Sequence, residues 1–385
     1  MTRADRKLAK DESRNGGLDV ARAVAILAVI AHHWGNAQLA APAGSKWDDI
    51  FVRFAGHGDY GVTLFFLLSG FLIMRTTMIR EPSLCELPLR EFYIRRIARI
   101  QPLFLAVVGL GLAVLWWGGD LGSRVVQYTF HDPKAVYGGE FLGSLLGLSY
   151  NWEMILHRDE FQFRGLHWDV MWSLAVEEQF YLLLPLLLIF CRGRKWLVAG
   201  LLGVVAVGIA TQIACDALGA GLLIKHFNSF SCFGLLALGV LGALFVDRLP
   251  MGYGLGACAT AIGMAAILTS LYRGGVVPLI LGGLLFIHAA HHAGASASWG
   301  VSWIRPLARI GQLSYGLYLL HAAALYLAAP LLTGMGLLPG FVLLTGIAFV
   351  LAEISDRVFE TPANRYIRAR FLHPGGAAAI PLTVP

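Results

Sequence analysis

A series of ten long apolar stretches is the feature that most constrains what this chain can fold into. A helix needs about 20 predominantly apolar residues to cross a bilayer, and each stretch comes close to that length. They lie near residues 18–37, 60–79, 97–117, 170–191, 196–217, 229–246, 251–271, 275–291, 311–332 and 337–356. Of the 385 residues, 57% are hydrophobic and only 14% are charged, whereas about a quarter are charged in soluble domains. The sequence therefore predicts an all-α integral membrane protein, a bundle of about ten transmembrane helices, and argues against a water-soluble enzyme.

The basic residues are distributed unevenly between the two sides that these stretches define. With the N-terminus in the cytoplasm, 21 of the 30 Lys and Arg residues fall in inside segments and eight fall outside. Cytoplasmic loops are enriched in Lys and Arg and the number of spans is even, so both termini are predicted to be cytoplasmic. The net charge of +6 forms no basic stripe, so no nucleic-acid partner is expected. The expected segments are a cytoplasmic N-terminal segment at 1–17, a transmembrane domain at 18–370 with an external loop at about 118–169, and a disordered C-terminal tail at 371–385.

Two ionisable residues share one face of the first predicted helix. Arg22 and His33 are eleven residues apart, which corresponds to about three turns and about 16 Å along a helix axis. Because a charge within a bilayer costs at least about 2.5–3.5 kcal/mol, such residues are candidates for function. The face would join a cationic anchor to a proton acceptor, with His32 as the less favoured acceptor. The alternative is that Arg22 reaches the interface with its long side chain and that His33 is an interfacial residue.

Adjacent carboxylates occur two turns into the fourth predicted span. Glu177 and Glu178 follow Trp172 and point about 100° apart on a helix, so each needs its own partner. A carboxylate in such surroundings either pairs with a cation or has a raised pKa. Both states suit chemistry beside an intramembrane His or Arg, although a purely structural ion pair would also explain them.

Arginines cluster where the third predicted span begins. Arg96 and Arg99 are three residues apart and project together, with Arg95 beside them. Guanidinium groups make planar, bidentate contacts to phosphate oxygens, so the cluster suits a polyphosphate ligand. Contact with the phosphates of membrane lipids is the alternative.

The ninth predicted span carries Tyr315, Tyr318 and His321, which recur every three residues and could line a shared polar seam. A metal site is not predicted. His288, His291 and His292 have a suitable spacing but lie at an inner helix end with no carboxylate nearby in sequence, and the five cysteines form no CxxC pair.

Six segments, taken together, resemble the membrane-bound acyltransferases of acyltransferase family 3. They occur in the family's order and span the chain from about Leu18 to Arg370. The segments are Leu18–His33, Gly61–Ile73, Phe92–Arg99, Trp172–Tyr181, Ser314–His321 and Glu360–Pro362. The resemblance implies transfer of an acyl group, usually acetyl from cytoplasmic acetyl-CoA, to a hydroxyl of an extracytoplasmic carbohydrate or lipid-linked acceptor. It also implies a multi-pass protein of the bacterial cytoplasmic (inner) membrane that uses no metal.

The resemblance also carries residue roles. The family's functionally important arginine and histidine positions fall on Arg22, His33, Arg96 and Arg99, and its glutamates fall on Glu177 and Glu360. Two departures are visible: Val20 stands where the motif usually has Gly, and the secreted esterase-like domain of some relatives has no counterpart. All chemistry is therefore expected in the membrane domain, unless the acyl group is handed to another protein.

A mechanism can be stated from these expectations. The phosphates of acetyl-CoA would lie against Arg96, Arg99 and Arg22, and His33 would act as general base on the acceptor hydroxyl. Glu177 would orient or balance a cation. A covalent acetyl-imidazole is the alternative mechanism, and a transporter of an acyl donor or small anion is the alternative function. The acceptor's identity and the oligomeric state stay open.

Overall fold

The structure is a computed structural model that describes residues 15–37, 44–81, 83–117, 143–144, 146, 148–156, 170–294 and 304–372. All regular elements within these ranges are helical, in agreement with the predicted fold class. The α-helices are α1 (Gly16–Asn36), α2 (Lys46–Gly56), α3 (Tyr60–Arg80), α4 (Leu89–Trp117), α5 (Tyr150–Leu156), α6 (Met171–Phe190), α7 (Arg194–Ala217), α8 (Leu222–Phe227), α9 (Ser229–Phe245), α10 (Tyr253–Arg273), α11 (Val276–Gly294), α12 (Arg305–Gln312), α13 (Ser314–Leu332), α14 (Leu337–Ser355) and α15 (Thr361–Leu372). Short 3-10 turns occur at Leu84–Glu86 and Val246–Arg248, and a π-helical turn occurs at Asp356–Glu360. Nearly all of the predicted N-terminal segment and C-terminal tail, and most of the predicted external loop, lie outside the described residues.

Nine helical segments among the described residues are long and apolar enough to cross a membrane, which confirms a multi-span bundle. The eighth predicted span, 275–291, forms α11, a helix of 19 residues whose apolar part among the described side chains is Val276–His292. It begins after Gly274 and Gly275, whose φ angles of 82° and 110° break the chain between α10 and α11. The predicted span 311–332 is likewise interrupted at Leu313, between α12 and α13. The orientation of the termini stays a prediction.

Close approach of backbones holds α3 against α9. A Cβ atom at Gly70 would lie 2.0 Å from the carbonyl oxygen of Leu236, and one at Gly239 would lie 2.1 Å from that of Leu67. Only glycine fits at these two positions, because a Cβ atom would overlap the opposing backbone. Membrane helices pack this closely where small residues face each other. The pair fixes α3 in the middle of the bundle, with α1 and α11 also packed against it.

Part of the predicted external loop is bound to the bundle through α5. The fully buried Asn151 side chain donates hydrogen bonds from Nδ2 to the Phe227 carbonyl (2.9 Å) and to Ser229 Oγ (3.0 Å). Its Oδ1 accepts a hydrogen bond from Gln179 Nε2 at 2.9 Å. A buried polar network of this kind costs little only if its members are satisfied, so these bonds hold α5 in place beside α6 and α9.

Candidate active site

Helix α1 is continuous through both Arg22 and His33, and it therefore presents them on one face as the sequence predicts. It begins at Gly16 and is capped by Asn15, whose side-chain oxygen accepts hydrogen bonds from the backbone N–H groups of Gly17 (3.0 Å) and Leu18 (3.3 Å). Such a cap satisfies N–H groups that have no partner within the helix. The helix then runs without a break to Asn36.

Arg22 is held by a buried carboxylate. Its Nη1 donates to Oδ1 of Asp19 at 3.1 Å, and Oδ2 of Asp19 accepts a hydrogen bond from Gln312 Nε2 at 3.2 Å. Asp19 is only 5% exposed. A Cβ at Gly311 would lie 1.7 Å from the Asp19 carbonyl oxygen, so α12 packs directly on the first turn of α1 and brings Gln312 to the carboxylate.

The structure brings Arg22, Arg96 and Arg99 into one electrostatic cluster, which we call the arginine centre. Arg99 interacts electrostatically with both Arg22 and Arg96. The guanidinium of Arg96 lies 5.6 Å from the ring centroid of Tyr181 and donates to Thr76 Oγ1 at 3.4 Å. Its Nε is buried and has no hydrogen-bond acceptor among the described residues. The centre thus contains a buried donor that an anionic ligand would satisfy.

A small, open cleft lies beside the arginine centre, and two of the arginines around it were not singled out from the sequence. Its lining residues are Thr76, Thr77, Arg80, Glu81, Leu87, Phe92, Arg95 and Arg96. Arg80, at the end of α3, interacts electrostatically with Arg95, Arg96 and Arg368 of α15. Helix α15 is tied to α4 by a hydrogen bond from Asn364 Nδ2 to the Ala98 carbonyl at 3.0 Å. The sequence shows Arg80 and Arg368 only as positive charges that flank predicted spans. Their proximity to Arg96 depends on the packing of α3, α4 and α15.

The adjacent glutamates have different partners, as their 100° separation on the helix predicts. Glu177 accepts hydrogen bonds from Ser69 Oγ (2.8 Å) and from the Tyr181 hydroxyl (2.9 Å), and it lies within electrostatic range of Arg96 and Arg99. Glu178 accepts a hydrogen bond from Gln101 Nε2 at 2.6 Å. Glu177 therefore belongs to the arginine centre, and Ser69 joins it from α3.

His33 and His321 meet further along α1 and form what we call the histidine pair. Nδ1 of His33 is 3.3 Å from Nε2 of His321, and the ring centroids are 4.9 Å apart. His321 is fully buried on α13. The less favoured α1 histidine, His32, instead places Nδ1 2.9 Å from the Ala55 carbonyl of α2.

The side chains of the predicted polar seam on α13 lie at two different ends of the site. The Tyr318 ring lies 6.0 Å from that of His321, and its hydroxyl is 2.6 Å from Ser173 Oγ. Tyr315 points instead to α4, where its hydroxyl donates to the Ile100 carbonyl at 2.6 Å. It thereby lies within electrostatic range of Arg99 and Glu177.

Trp172 and Glu360 flank the site. The Trp172 ring stacks on Phe227 with centroids 4.3 Å apart, at the beginning of α6. Glu360 lies in the π-helical turn, accepts a hydrogen bond from Ser355 Oγ at 2.8 Å and is within electrostatic range of Arg99. An added Cβ at Gly316 would approach its Oε1 to 2.9 Å, so Glu360 packs against the start of α13.

An acid–histidine cluster lies at the same end of the bundle as the histidine pair. Asp59 Oδ2 is 3.5 Å from Nδ1 of His226. Burial raises the pKa of Asp59, but the hydrogen bond from His226 and the nearby rings of His32 and His57 outweigh burial, so its pKa lies below the usual value. The carboxylate form is therefore favoured.

Two of the three histidines with metal-like spacing contact backbone carbonyls of the turn at residues 246–249. Nε2 of His288 is 2.7 Å from the Leu249 carbonyl, and Nε2 of His292 is 3.0 Å from the Val246 carbonyl. Within the ranges that the structure describes, no three His, Cys, Asp or Glu side chains are placed to hold a metal ion.

Comparison with known proteins places these features in a family. The family described as an acyltransferase domain (family 3) matches residues 15–354. The chain is 28% identical to YrhL of Bacillus subtilis (93% of this chain, 57% of the relative) and 28% identical to the peptidoglycan O-acetyltransferase OatA of Listeria monocytogenes (90% and 55%). It is 29% identical to nodulation protein 10 of Rhizobium leguminosarum (77% and 79%).

The chain spans just over half the length of the first two of these relatives. No solved structure matches it. The family match covers nearly all of the described bundle, including α1, the arginine centre and the histidine pair. The chain belongs to acyltransferase family 3, as its six sequence segments predict.

Proposed function

We propose that this protein is a membrane acetyltransferase that moves an acetyl group from acetyl-CoA to a hydroxyl group of a carbohydrate acceptor. The observation that carries the proposal is that one helix, α1, joins the arginine centre to the histidine pair, with Arg22 in the first and His33 in the second. The choice of group and acceptor is supported by the OatA relative, which is named a peptidoglycan O-acetyltransferase.

The arginine centre and its cleft would hold the phosphates of the donor. Arg22, Arg96 and Arg99 lie together, and Arg80 and Arg368 add positive charge around the cleft. Guanidinium groups bind phosphate oxygens in a planar, bidentate way, and a phosphate oxygen would accept the buried N–H of Arg96. The excess of basic residues on this side supports a cytoplasmic position for the cleft, and acetyl-CoA would enter there.

The reacting groups would meet near His33. The acceptor oxygen attacks the thioester carbonyl carbon, so that a C–O bond forms and the C–S bond breaks. His33 takes the proton of the acceptor hydroxyl and returns it to the leaving thiolate, which yields the ester and free CoA. General-base help of this kind typically contributes about 10²–10⁴-fold to a rate. Glu177, bonded to Ser69 and Tyr181, balances the positive charge of the arginine centre.

The acceptor would approach from the extracytoplasmic side of a bacterial cytoplasmic membrane, as a surface polysaccharide, peptidoglycan or a lipid-linked glycan. At the histidine end, contacts of Tyr318 with Ser173 and of Trp172 with Phe227 hold α6 against α13 and α8. These contacts shape the walls of the region in which the acceptor hydroxyl would reach His33.

Purified protein in proteoliposomes, given radiolabelled acetyl-CoA and a soluble peptidoglycan fragment, tests the proposal. Wild-type protein is expected to label the fragment. His33→Ala is expected to lower kcat by about 10²–10⁴-fold at little change in the KM for acetyl-CoA, whereas Arg96→Gln and Arg99→Gln raise that KM. Arg305→Gln is the matched control, because Arg305 is exposed on α12.

Two results would overturn the proposal. Full transfer by His33→Ala would remove His33 from the chemistry. Uptake of acetyl-CoA into the vesicles without transfer to any carbohydrate would favour a transporter.

A further inference from the structure

The described contacts of the histidine pair favour a proton on Nδ1 of each ring. Nδ1 of His33 faces the Val29 carbonyl at 2.9 Å, and Nδ1 of His321 faces the Leu317 carbonyl at 3.0 Å. Each carbonyl belongs to the residue four positions earlier on the same helix. A carbonyl oxygen can only accept a hydrogen bond, so a neutral imidazole beside it is stabilised with its proton on Nδ1.

One arrangement of protons fits the contacts that the two rings make to described residues. With a proton on its Nδ1, neutral His321 presents a lone pair on Nε2, which accepts the Nδ1–H of His33 at 3.3 Å. The reverse arrangement would have Nε2–H of His321 donate to a lone pair on His33 Nδ1. It would leave two ring lone pairs facing the lone pairs of Val29 and Leu317 carbonyl oxygens at 2.9 and 3.0 Å.

We propose that His321 is a positioning residue that keeps His33 protonated on Nδ1, so that Nε2 is the nitrogen that takes the proton of the acceptor hydroxyl. The inference rests on the proposed function, since it assigns a partner to the base named there. The tautomer of a histidine is generally set by the hydrogen bond that its other nitrogen makes, and a catalytic base is typically oriented by a third group.

The pair also stabilises the charged form of His33 that arises during the reaction. When Nε2 takes up a proton, the Nδ1–H of the imidazolium still points at two acceptors, Val29 O and His321 Nε2. Uptake of a proton by His321 itself would replace that acceptor by an N–H donor facing the His33 N–H. Activity should therefore fall at acidic pH with apparent pKa values that belong to the pair.

Other titratable groups surround the pair and are part of the same pH response. His32 on α1 has its ring centroid 5.5 Å from that of His33, and Tyr318 on α13 lies 6.0 Å from His321. Beyond His32, Asp59 lies between α2 and α3 and contacts His226.

Three substitutions at one position separate an acceptor role from a packing role. His321→Gln keeps a side-chain oxygen near the position of Nε2 and is expected to retain kcat within about threefold of wild type. His321→Leu removes the acceptor and is expected to lower kcat by about 10- to 100-fold, the factor for one hydrogen bond to a group that becomes charged. His321→Asn has too short a side chain to reach His33 and should resemble His321→Leu. The KM for acetyl-CoA should be unchanged in all three variants.

The shape of the pH profile gives a second readout. In wild-type protein the acid limb includes the coupled pair, whereas in His321→Gln it should lose the ionisation that His321 contributes and become less steep. Overturning results are a His321→Leu variant with kcat within threefold of wild type, or a His321→Gln variant as impaired as His321→Leu.

His33→Ala in the same preparation separates this inference from the proposed function. An inactive His33→Ala with a fully active His321→Leu would refute only the role of His321, whereas a fully active His33→Ala would refute the proposed chemistry itself. If the variants at position 321 fail to fold, a measurement on wild-type protein still tests the inference. Magnetic resonance of wild-type protein with isotope-labelled histidine should show His33 protonated on Nδ1, and a proton on Nε2 alone would contradict the inference.

Discussion

Replacement of Gly239 by alanine probes the close approach of α3 and α9, on which the position of Ser69 depends. A Cβ at Gly239 would lie 2.1 Å from the Leu67 carbonyl oxygen and 2.8 Å from the Phe71 nitrogen. Ordinary van der Waals contact begins at 3.4 Å. The two backbones would therefore have to move apart from 2.1 to 3.4 Å, by 1.3 Å at this contact.

The expected loss in the free energy of unfolding is about 2 kcal/mol. Overpacking typically costs about 1–3 kcal/mol, and the upper end applies here because the opposing atoms are backbone and cannot rotate away. Alanine recovers about 1 kcal/mol, because it is the better helix former. Since Ser69 precedes Gly70 on α3 and donates to Glu177, the same shift is expected to lower acetyl transfer.

Unfolding of the purified protein in mixed micelles with increasing denaturing detergent measures this loss. Gly203→Ala in α7 is the matched control, since an added Cβ there meets no atom of the described residues within 4 Å. It is expected to stabilise the protein by up to about 1 kcal/mol. The two variants should shift in opposite directions. A Gly239→Ala protein as stable as wild type would refute the packing argument.

Three further outcomes follow from the contacts. Glu177→Gln leaves either the Ser69 or the Tyr181 hydroxyl without its acceptor, so the free energy of unfolding should fall by about 1–3 kcal/mol. In Glu178→Gln the free energy of unfolding should fall by less, because Glu178 has a single hydrogen-bond partner among the described residues, Gln101. The lowered pKa of Asp59 contributes stability that is fully present above the unfolded pKa of about 3.9 and is lost as the pH falls through the lower folded value. Thermal scans between pH 5 and pH 2 should therefore show a smaller loss for Asp59→Asn than for wild type, and equal losses would argue against the Asp59–His226 contact. Asn151→Ala removes the bonds that hold α5, so limited proteolysis should cut beside α5 faster than in wild type; unchanged cleavage would mean that those bonds do not hold it.

The sequence was sufficient to predict the helical bundle, because apolar length and the scarcity of charge translate directly into membrane spans. The common face of Arg22 and His33 and the divergence of Glu177 and Glu178 could also be predicted, since both follow from the 100° turn per residue of a single helix. Each of these predictions concerns residues within one element.

Contacts between distant elements could not be predicted in this way. Arg80 lines the cleft and Arg368 lies within electrostatic range of Arg80 and Arg96 because α15 packs against α4, and no local sequence pattern predicts that arrangement. His321 was expected on a seam with Tyr315 and Tyr318, but its contact with His33 depends on how α13 packs against α1. The break between α10 and α11 falls at Gly274 and Gly275, whose positive φ angles are a property of the folded turn.

The central claim is that His33 supports acetyl transfer to a surface carbohydrate. Mass spectrometry of surface glycans tests it most directly, in cells that carry the wild-type gene, no gene, or His33→Ala at equal membrane abundance. Glycans that gain the mass of one acetyl group are expected only with the wild-type protein. Acetylated glycans at the wild-type level with His33→Ala, or the same glycan masses with and without the gene, would contradict the account.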